Sequence, residues 1–272
     1  VKGFTEDQIR RYSRHIVLPQ IGGKGQHRLL QSRVLVVGAG GLGSPVCYYL
    51  VAAGVGVVGI ADMDQVGLSN LQRQILHSTE DLDKPKVDSA REKLERLNPD
   101  VEVLTYREPV THDNAMGLIR GYDVVIDCVD NFAARYLLND ACVLTGKPLI
   151  EAGVLRFDGL AMTIIPGEGP CYRCIFPKPP TGSDAPSCAE AGILGATAGI
   201  LGTIQAAEAI KVLLGVGRTL SGRLLAVDVL AMTFTELESG QDAGCPVCGE
   251  EPSIQEILEE NYELADCDTV DW

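Results

Sequence analysis

Five short apolar runs punctuate the first part of the chain: RVLVV at 33–37, VVGIA at 57–61, VEVLTY at 101–106, DVVIDCV at 123–129 and KPLIEAGV at 147–154. Each is rich in Val, Ile and Leu, which predicts a buried strand. Helical patterns fill the gaps at about 43–53, 85–97, 112–120 and 132–145. Regular strand–helix alternation predicts an α/β fold with a parallel, doubly wound sheet. Ahead of the first run, TEDQIRRYSRH predicts a helix, with Thr5 as N-cap and Gln8 closing a capping box.

Past Gly153 the pattern changes. GLAMTIIP at 159–166 and RLLAVDVLAMTFTELE at 223–238 predict strands without short helices between them, an antiparallel extension of the sheet. A Pro-rich loop, FPKPPTGSDAPSC, leads to a long helix expected over about 194–214. Gly192, Gly195, Gly199 and Gly202 recur there at three- and four-residue spacing, which suits close packing in the core or a subunit interface. With no internal repeat and no long linker, a single domain is expected over 1–272. Its parts are a helical arm (1–32), a nucleotide-binding part (33–154), an antiparallel extension (155–249) and an acidic tail (250–272).

Composition narrows the class. A hydrophobic fraction of 46% with 22% charged residues is that of a soluble globular protein with a sizeable core. The net charge of −14 argues against nucleic acid as a partner. Nine Asp and Glu fall after residue 249 with no Lys or Arg, a solvated tail or a docking segment for a basic partner. VKGFTEDQIRRYSRH does not read as a signal peptide, and the longest uncharged run, 191–207, is too short and polar for a membrane span. A cytoplasmic protein is the expectation.

Gly38, Gly40 and Gly43 form G-x-G-x-x-G directly after a strand and before a helix, where bare backbone can approach phosphate. Asp62 ends the next strand, placed for a ribose hydroxyl. Many dehydrogenases share this fingerprint, so a nicotinamide-dependent oxidoreductase stays open. Arg73 and Lys86 suit a triphosphate better, although each alone could be a surface charge. Asp130, in DCVDN, follows the fourth strand and is a candidate Mg²⁺ ligand, with a helix N-cap as the alternative.

Nine cysteines in this length are not a disulfide scaffold. Cys171 and Cys174 in CYRC, with Cys245 and Cys248 in CPVC, give two CxxC knuckles that predict a closed, structural Zn²⁺ site, with a redox pair as the alternative for either half, though without a thioredoxin-like context. Cys188, near a helix start, is a candidate reactive thiolate. Cys47, Cys128 and Cys142 are expected in the core. The histidines at 15, 27, 77 and 112 form no site-like spacing, and Cys267 carries no reading.

GAGGLGS, DMDQVGLSNLQRQ, KPKVDSA, DCVDN and the two CxxC pairs, in this order, resemble the MoeB/ThiF/HesA family over about residues 4–249. These are relatives of ubiquitin-activating enzymes that adenylate the C-terminal glycine of ubiquitin-like sulfur-carrier proteins. The resemblance implies a Rossmann-like fold and ATP, Mg²⁺ and structural Zn²⁺ as cofactors. Gly41 and its loop would cradle the phosphates and Asp62 the ribose. Ser69, Asn70, Arg73 and Gln74, with Lys86, would clamp the nucleotide; Asp130, beside Asn131, would hold Mg²⁺. Arg14, in RYSRH, would reach the ATP site of a second subunit, which implies a homodimer. Cys188 matches a position where some members form a covalent link to the carrier. The carrier would end in Gly-Gly and leave as a thiocarboxylate for molybdopterin, thiamine or tRNA thiolation. Some relatives append a rhodanese-like domain after the zinc segment. This sequence stops at Trp272, so a separate sulfurtransferase is the expected donor. A non-catalytic subunit of an activating enzyme is the remaining alternative.

Overall fold

A computed structural model describes residues 3–179 and 192–262. Cys188 and Cys267 lie outside the described residues. The strands are β1 (Arg33–Val37), β2 (Val57–Ala61), β3 (Glu102–Tyr106), β4 (Val124–Asp127), β5 (Leu149–Leu155), β6 (Asp158–Ile164), β7 (Arg223–Asp228) and β8 (Thr233–Glu238). They form one sheet in the order β3-β2-β1-β4-β5-β6-β7-β8. Pairings from β3 through to β5 are parallel, and those from β5 through to β8 antiparallel, as expected.

The described helices are α1 (Glu6–Arg11), α2 (Ser13–Ile16), α3 (Gly22–Gln31), α4 (Gly43–Ala53), α5 (Lys86–Leu97), α6 (Ala115–Arg120), α7 (Phe132–Thr145), α8 (Tyr172–Ile175) and α9 (Gly195–Leu214). Two hydrophobic layers sandwich the sheet. Val34 and Val36 of β1 join a cluster with α3, α4, α5 and α9, whereas Leu35 and Val37 join one with α6, α7 and α8. Burial on both faces is why these strands read as unbroken apolar runs.

Two boundaries differ from expectation. The first helix is broken at Tyr12, whose ring turns inward. Its hydroxyl accepts from Asn98 Nδ2 at 2.8 Å, and it packs so tightly on Gly54 that a Cβ there would lie 2.6 Å away. The run 223–238 is a hairpin, reversed where Asp228 Oδ1 accepts the Ala231 amide at 2.9 Å and Met232 takes φ +53°.

Two of the glycines of α9 take the first of the expected roles, close packing. A Cβ on Gly195 would lie 2.4 Å from the Gln72 carbonyl oxygen, and one on Gly202 2.4 Å from that of Leu42, so both serve close packing. Gly199 faces open space. Though long and apolar enough by composition to cross a membrane, α9 packs on α4, β5 and β6. Buried Gln205 donates from Nε2 to the Asp127 carbonyl at 2.6 Å, and buried Glu208 accepts from Thr163 Oγ1 at 2.6 Å and from the Leu220 amide at 2.7 Å.

Candidate functional site

β1 delivers the chain into a loop that needs glycine at two points. Gly38 has φ +101°, and a Cβ on it would stand 2.5 Å from the Cys128 carbonyl oxygen. On Gly43 a Cβ would lie 2.0 Å from the Gly38 oxygen. The loop is thus pressed backbone to backbone on the end of β4. The Gly38 amide donates to the Ala61 carbonyl at 2.8 Å, and that of Ala39 to Asp62 Oδ2 at 2.7 Å. Asp62 Oδ1 accepts from the Asp64 amide at 2.8 Å. Among the described residues, the amides of Gly40, Gly41 and Leu42 have no hydrogen-bond partner. Three free N–H groups at the start of α4, reinforced by its dipole, form an anion site.

Residues 67–74 fold into a compact turn beside this loop. Asn70 Oδ1 accepts the Gly67 amide at 2.9 Å, and the Asn70 carbonyl accepts the amides of Arg73 and Gln74 at 3.0 and 2.9 Å. The stem of Arg73 lies over Gly41, where a Cβ would be 3.5 Å from its Cγ, and its Nη1 donates to the Ser69 carbonyl at 3.1 Å. Gln74 is buried against Gly40, and its Oε1 has no partner. An unsatisfied buried acceptor is costly unless something else meets it. The start of α9 backs this turn through Gly195.

Lys86 opens α5 and is only 5% exposed, with Nζ donating to Asp64 Oδ2 at 2.7 Å. Asp64 itself is exposed, so a phosphate can compete for the ammonium at little cost. Asp130 stands past β4 with its residue exposed and no hydrogen bond among the described residues. β1 and β4 are neighbours from which the connections run in opposite directions, and ligands bind at the carboxyl ends of such a pair. The alternative of Asp130 as an N-cap is corrected here. Asn131 caps α7, its Oδ1 accepting from the Ala134 amide at 2.9 Å, because it holds the extended φ of −129° that a cap needs.

Arg14 is not brought to this loop. Tyr12 seats the α1–α2 arm at the Gly54 end of α4, and the 11 residues of α4 place the loop about 16 Å away at the other end. Arg14 is exposed and makes no ion pair among the described residues.

The four CxxC cysteines converge. Their sulfurs lie within 4.8 Å of one another, with Cys171 3.5 Å from Cys245 and Cys174 3.4 Å from Cys248. Four ligands at about 2.3 Å around Zn²⁺ require sulfur separations of roughly 3.8 Å, so the set fits a tetrahedral zinc. The Asp242 amide points at Cys174 Sγ at 3.4 Å, and Gly249 closes the second knuckle where a Cβ would meet two carbonyls at 2.5 Å. α7 carries the first knuckle: the Tyr172 amide donates to Asn139 Oδ1 at 2.8 Å, and Arg173 grips Asp140 with Nε and Nη2. Tyr262 donates to the same carboxylate at 3.0 Å, so the acidic segment is docked at least this far. Cys47, Cys128 and Cys142 are buried as expected, and burial pushes the Cys47 thiol up to about 12.

Two groups near the loop escaped the sequence reading. Asp127 and Glu151 face each other across β4 and β5, with Arg135 of α7 between them. Arg135 Nη1 lies 2.8 Å from Glu151 Oε1; its Nε is 3.3 Å from Asp127 Oδ2, an ion pair without hydrogen-bond alignment. Nη2 donates to the Val129 and Ala152 carbonyls at 3.2 and 3.0 Å, bracing the approach to Asp130. Burial raises both carboxyls despite Arg135, Glu151 to about 7. An acid inside the apolar run LIEAGV was the available signal. His77 is the second: buried, it contacts the Ala39 carbonyl of the loop and Ser89 of α5. Nothing in its spacing marked it.

Comparison with known proteins agrees with this geometry. The profile of the ThiF family matches residues 12–247. A sulfur carrier protein adenylyltransferase of Thermus thermophilus is 49% identical over 261 residues, 94% of this chain and 96% of that one. The SAMP-activating enzyme E1 of Haloferax volcanii is 49% identical over 243 residues, 89% and 90% of the two chains. The adenylyltransferase and sulfurtransferase MOCS3 of Sus scrofa is 46% identical across 96% of this chain, which spans 57% of that protein. Among solved structures, Escherichia coli MccB with ATP superposes at a TM-score of 0.75 with 22% identity, over 88% of this chain and 73% of that one, a likeness of fold. By the extent of these matches, the chain belongs to the ThiF family.

Proposed function

We propose that this protein adenylates the C-terminal glycine carboxylate of a small ubiquitin-like sulfur-carrier protein, using ATP. One observation carries the reading: the free amides of Gly40–Leu42 lie under Arg73 and beside Gln74, at the edge where Asp130 stands. That arrangement suits a polyphosphate, and the names of the Thermus and Haloferax relatives give the acceptor class.

The carrier's carboxylate is ionised at neutral pH, so no general base is required. One of its oxygens bonds to the α-phosphorus while the α–β bridging bond breaks, and its electron pair leaves on pyrophosphate. Catalysis is placement plus charge stabilisation. The loop amides and Arg73 would hold the phosphates, Lys86 would leave Asp64 for the developing charge, and Asp62 would take the ribose. Gln74 Oε1, Ser69, Asn70 and Asn131 complete the surroundings. Asp130 would hold Mg²⁺, which shields phosphate charge from the incoming carboxylate. Cys171, Cys174, Cys245 and Cys248 would hold one structural Zn²⁺.

Assembly as a homodimer is part of the proposal. Tyr49, Ile75 and Phe234, each at least half exposed, line a groove of about 520 Å³ with Gly199 and Ile200, an apolar face along α4 and α9. Pro45 and Ile75 bring this groove beside the phosphate loop, and its apolar lining suits a subunit rather than the nucleotide. An exposed Arg14 remote from its own loop is then free to serve the partner's. We assign Cys188 no required role in adenylation; its covalent link to the carrier, and a separate sulfurtransferase as donor, are later steps. The setting we propose is the cytoplasm.

ATP–pyrophosphate exchange with purified protein tests the reading. Exchange is expected only with an intact carrier ending in Gly-Gly, and not when its terminal glycine is deleted. Exchange without any carrier, or ATP binding that is absent altogether, would overturn it.

A further inference from the structure

The phosphate loop rests on a chain of hydrogen bonds whose directions are fixed by chemistry. His77 Nε2 lies 3.0 Å from the Ala39 carbonyl oxygen, which can only accept, so Nε2 carries a proton. Its Nδ1 lies 2.9 Å from Ser89 Oγ. In the neutral ring Nδ1 must accept, so the Ser89 hydroxyl donates to it. Ser89 Oγ accepts in turn from Lys93 Nζ at 2.9 Å, and Lys93 is paired with Asp81. At the other end the Ala39 amide is held by Asp62. Ala39, the residue inside the first G-x-G, is therefore clamped on both sides of its peptide frame. The free amides of Gly40 and Gly41 follow directly.

We propose that His77 is a positioning residue for nucleotide binding: as a neutral imidazole with its proton on Nε2, it fixes the Ala39 carbonyl and so aims the loop amides at the phosphates. The inference rests on the ATP-dependent reading above. A buried histidine satisfied only for packing would occupy the same place, but would not set the affinity for ATP. Burial lowers the pKa of His77, as do Lys93 and Lys86, against the Ala39 hydrogen bond and Asp81. These lysines, with Asp81 and Asp62, are the charges around the ring and the residue it holds. Protonation at Nδ1 would turn an acceptor into a donor facing the Ser89 hydroxyl proton. The Ser89 hydroxyl can then turn so that its oxygen accepts from both Nδ1 and Lys93 Nζ, while Nε2 still donates to the Ala39 carbonyl, so the hold on the loop survives protonation.

The test compares ATP dissociation constants from pH 5 to 8 for the wild type, His77→Gln and His77→Leu, with thermal unfolding of each. Gln can place a permanent donor near the Ala39 oxygen; Leu cannot. At pH 8 the Leu variant should bind ATP about 10-fold more weakly while the Gln variant stays within about twofold, since one lost hydrogen bond is worth about that factor. On the acid side the wild type and the Gln variant should fall in parallel, by the amount set by ATP's own phosphates, since Nε2 carries its proton in the neutral and the charged ring alike. If Leu prevents folding, Ser89→Ala decides, because it removes the hydroxyl that seats the ring's other nitrogen: it should weaken ATP binding severalfold, and a folded Ser89→Ala variant with wild-type affinity would overturn the proposal. A folded Leu variant with wild-type affinity would overturn it too. A wild type that binds no ATP would refute the proposed function instead, which keeps the two failures apart.

Discussion

Gly43 and Gly38 are in contact through a space that admits no side chain: a Cβ at position 43 would stand 2.0 Å from the Gly38 carbonyl oxygen. Both residues therefore shape the loop before any ligand arrives. Replacing Gly43 with Ala should cost at least about 1–3 kcal/mol of stability by overpacking against backbone that cannot yield. It should also abolish ATP binding. Denaturant unfolding and nucleotide titration of the same sample check both.

Asp130 and Asn131 are adjacent yet should fail differently. Asn131→Ala should lose about 1 kcal/mol of stability, because it removes the cap of α7. Asp130→Ala should leave unfolding unchanged and reduce carrier-dependent exchange at least about 100-fold, the scale on which charge-stabilising groups act. Near-normal turnover in the second variant would take Asp130 out of the mechanism.

Glu151 should impose a pH dependence on stability. Its pKa is about 7 in the fold, against an ordinary carboxyl value when unfolded. Between these values the folded state binds more protons, so this contribution is fully present at low pH and is lost as pH rises through about 7. Glu151→Gln should flatten that decline. Denaturation midpoints from pH 5 to 8 measure it, and parallel curves for the two proteins would sink the idea.

The four thiols should be occupied. Metal analysis should find about one zinc per chain, and a strong chelator should lower the unfolding temperature markedly, as expected where metal binding and folding are one process. Cys245→Ser should weaken metal retention and lower the unfolding temperature in the same direction.

Arg14 should act between subunits. Arg14→Ala and Asp130→Ala are each expected to be inactive alone. Co-refolded, they should recover roughly a quarter of wild-type exchange, because half the dimers are mixed and each mixed dimer has one intact composite site. No recovery on mixing would place Arg14 in its own chain's site or outside the mechanism.

Much of the fold was legible because strands buried on both faces leave apolar runs that cannot be mistaken for surface. The loop glycines and the paired CxxC knuckles were legible for a similar reason: their chemistry depends on local spacing. What escaped depends on distance in sequence. The role of His77 requires Ala39, 38 residues away, and Ser89 beyond it. Arg135 gains its meaning only when β4 and β5 bring Asp127 and Glu151 together. The break at Tyr12 was invisible because its cause, the surface of Gly54, lies on another helix.

α7 starts at the edge that carries Asp130 and holds the first cysteine knuckle further along its length. Arg135 reaches from it to the Val129 carbonyl and lies 5.9 Å from the Tyr172 ring, between the cysteines of that knuckle. The two regions should therefore open together in local unfolding. Hydrogen exchange at residues 127–135 and 171–175 should rise together when thiol coordination is disturbed. A cell short of metal would then lose this catalyst at its nucleotide edge, with every residue there still in place.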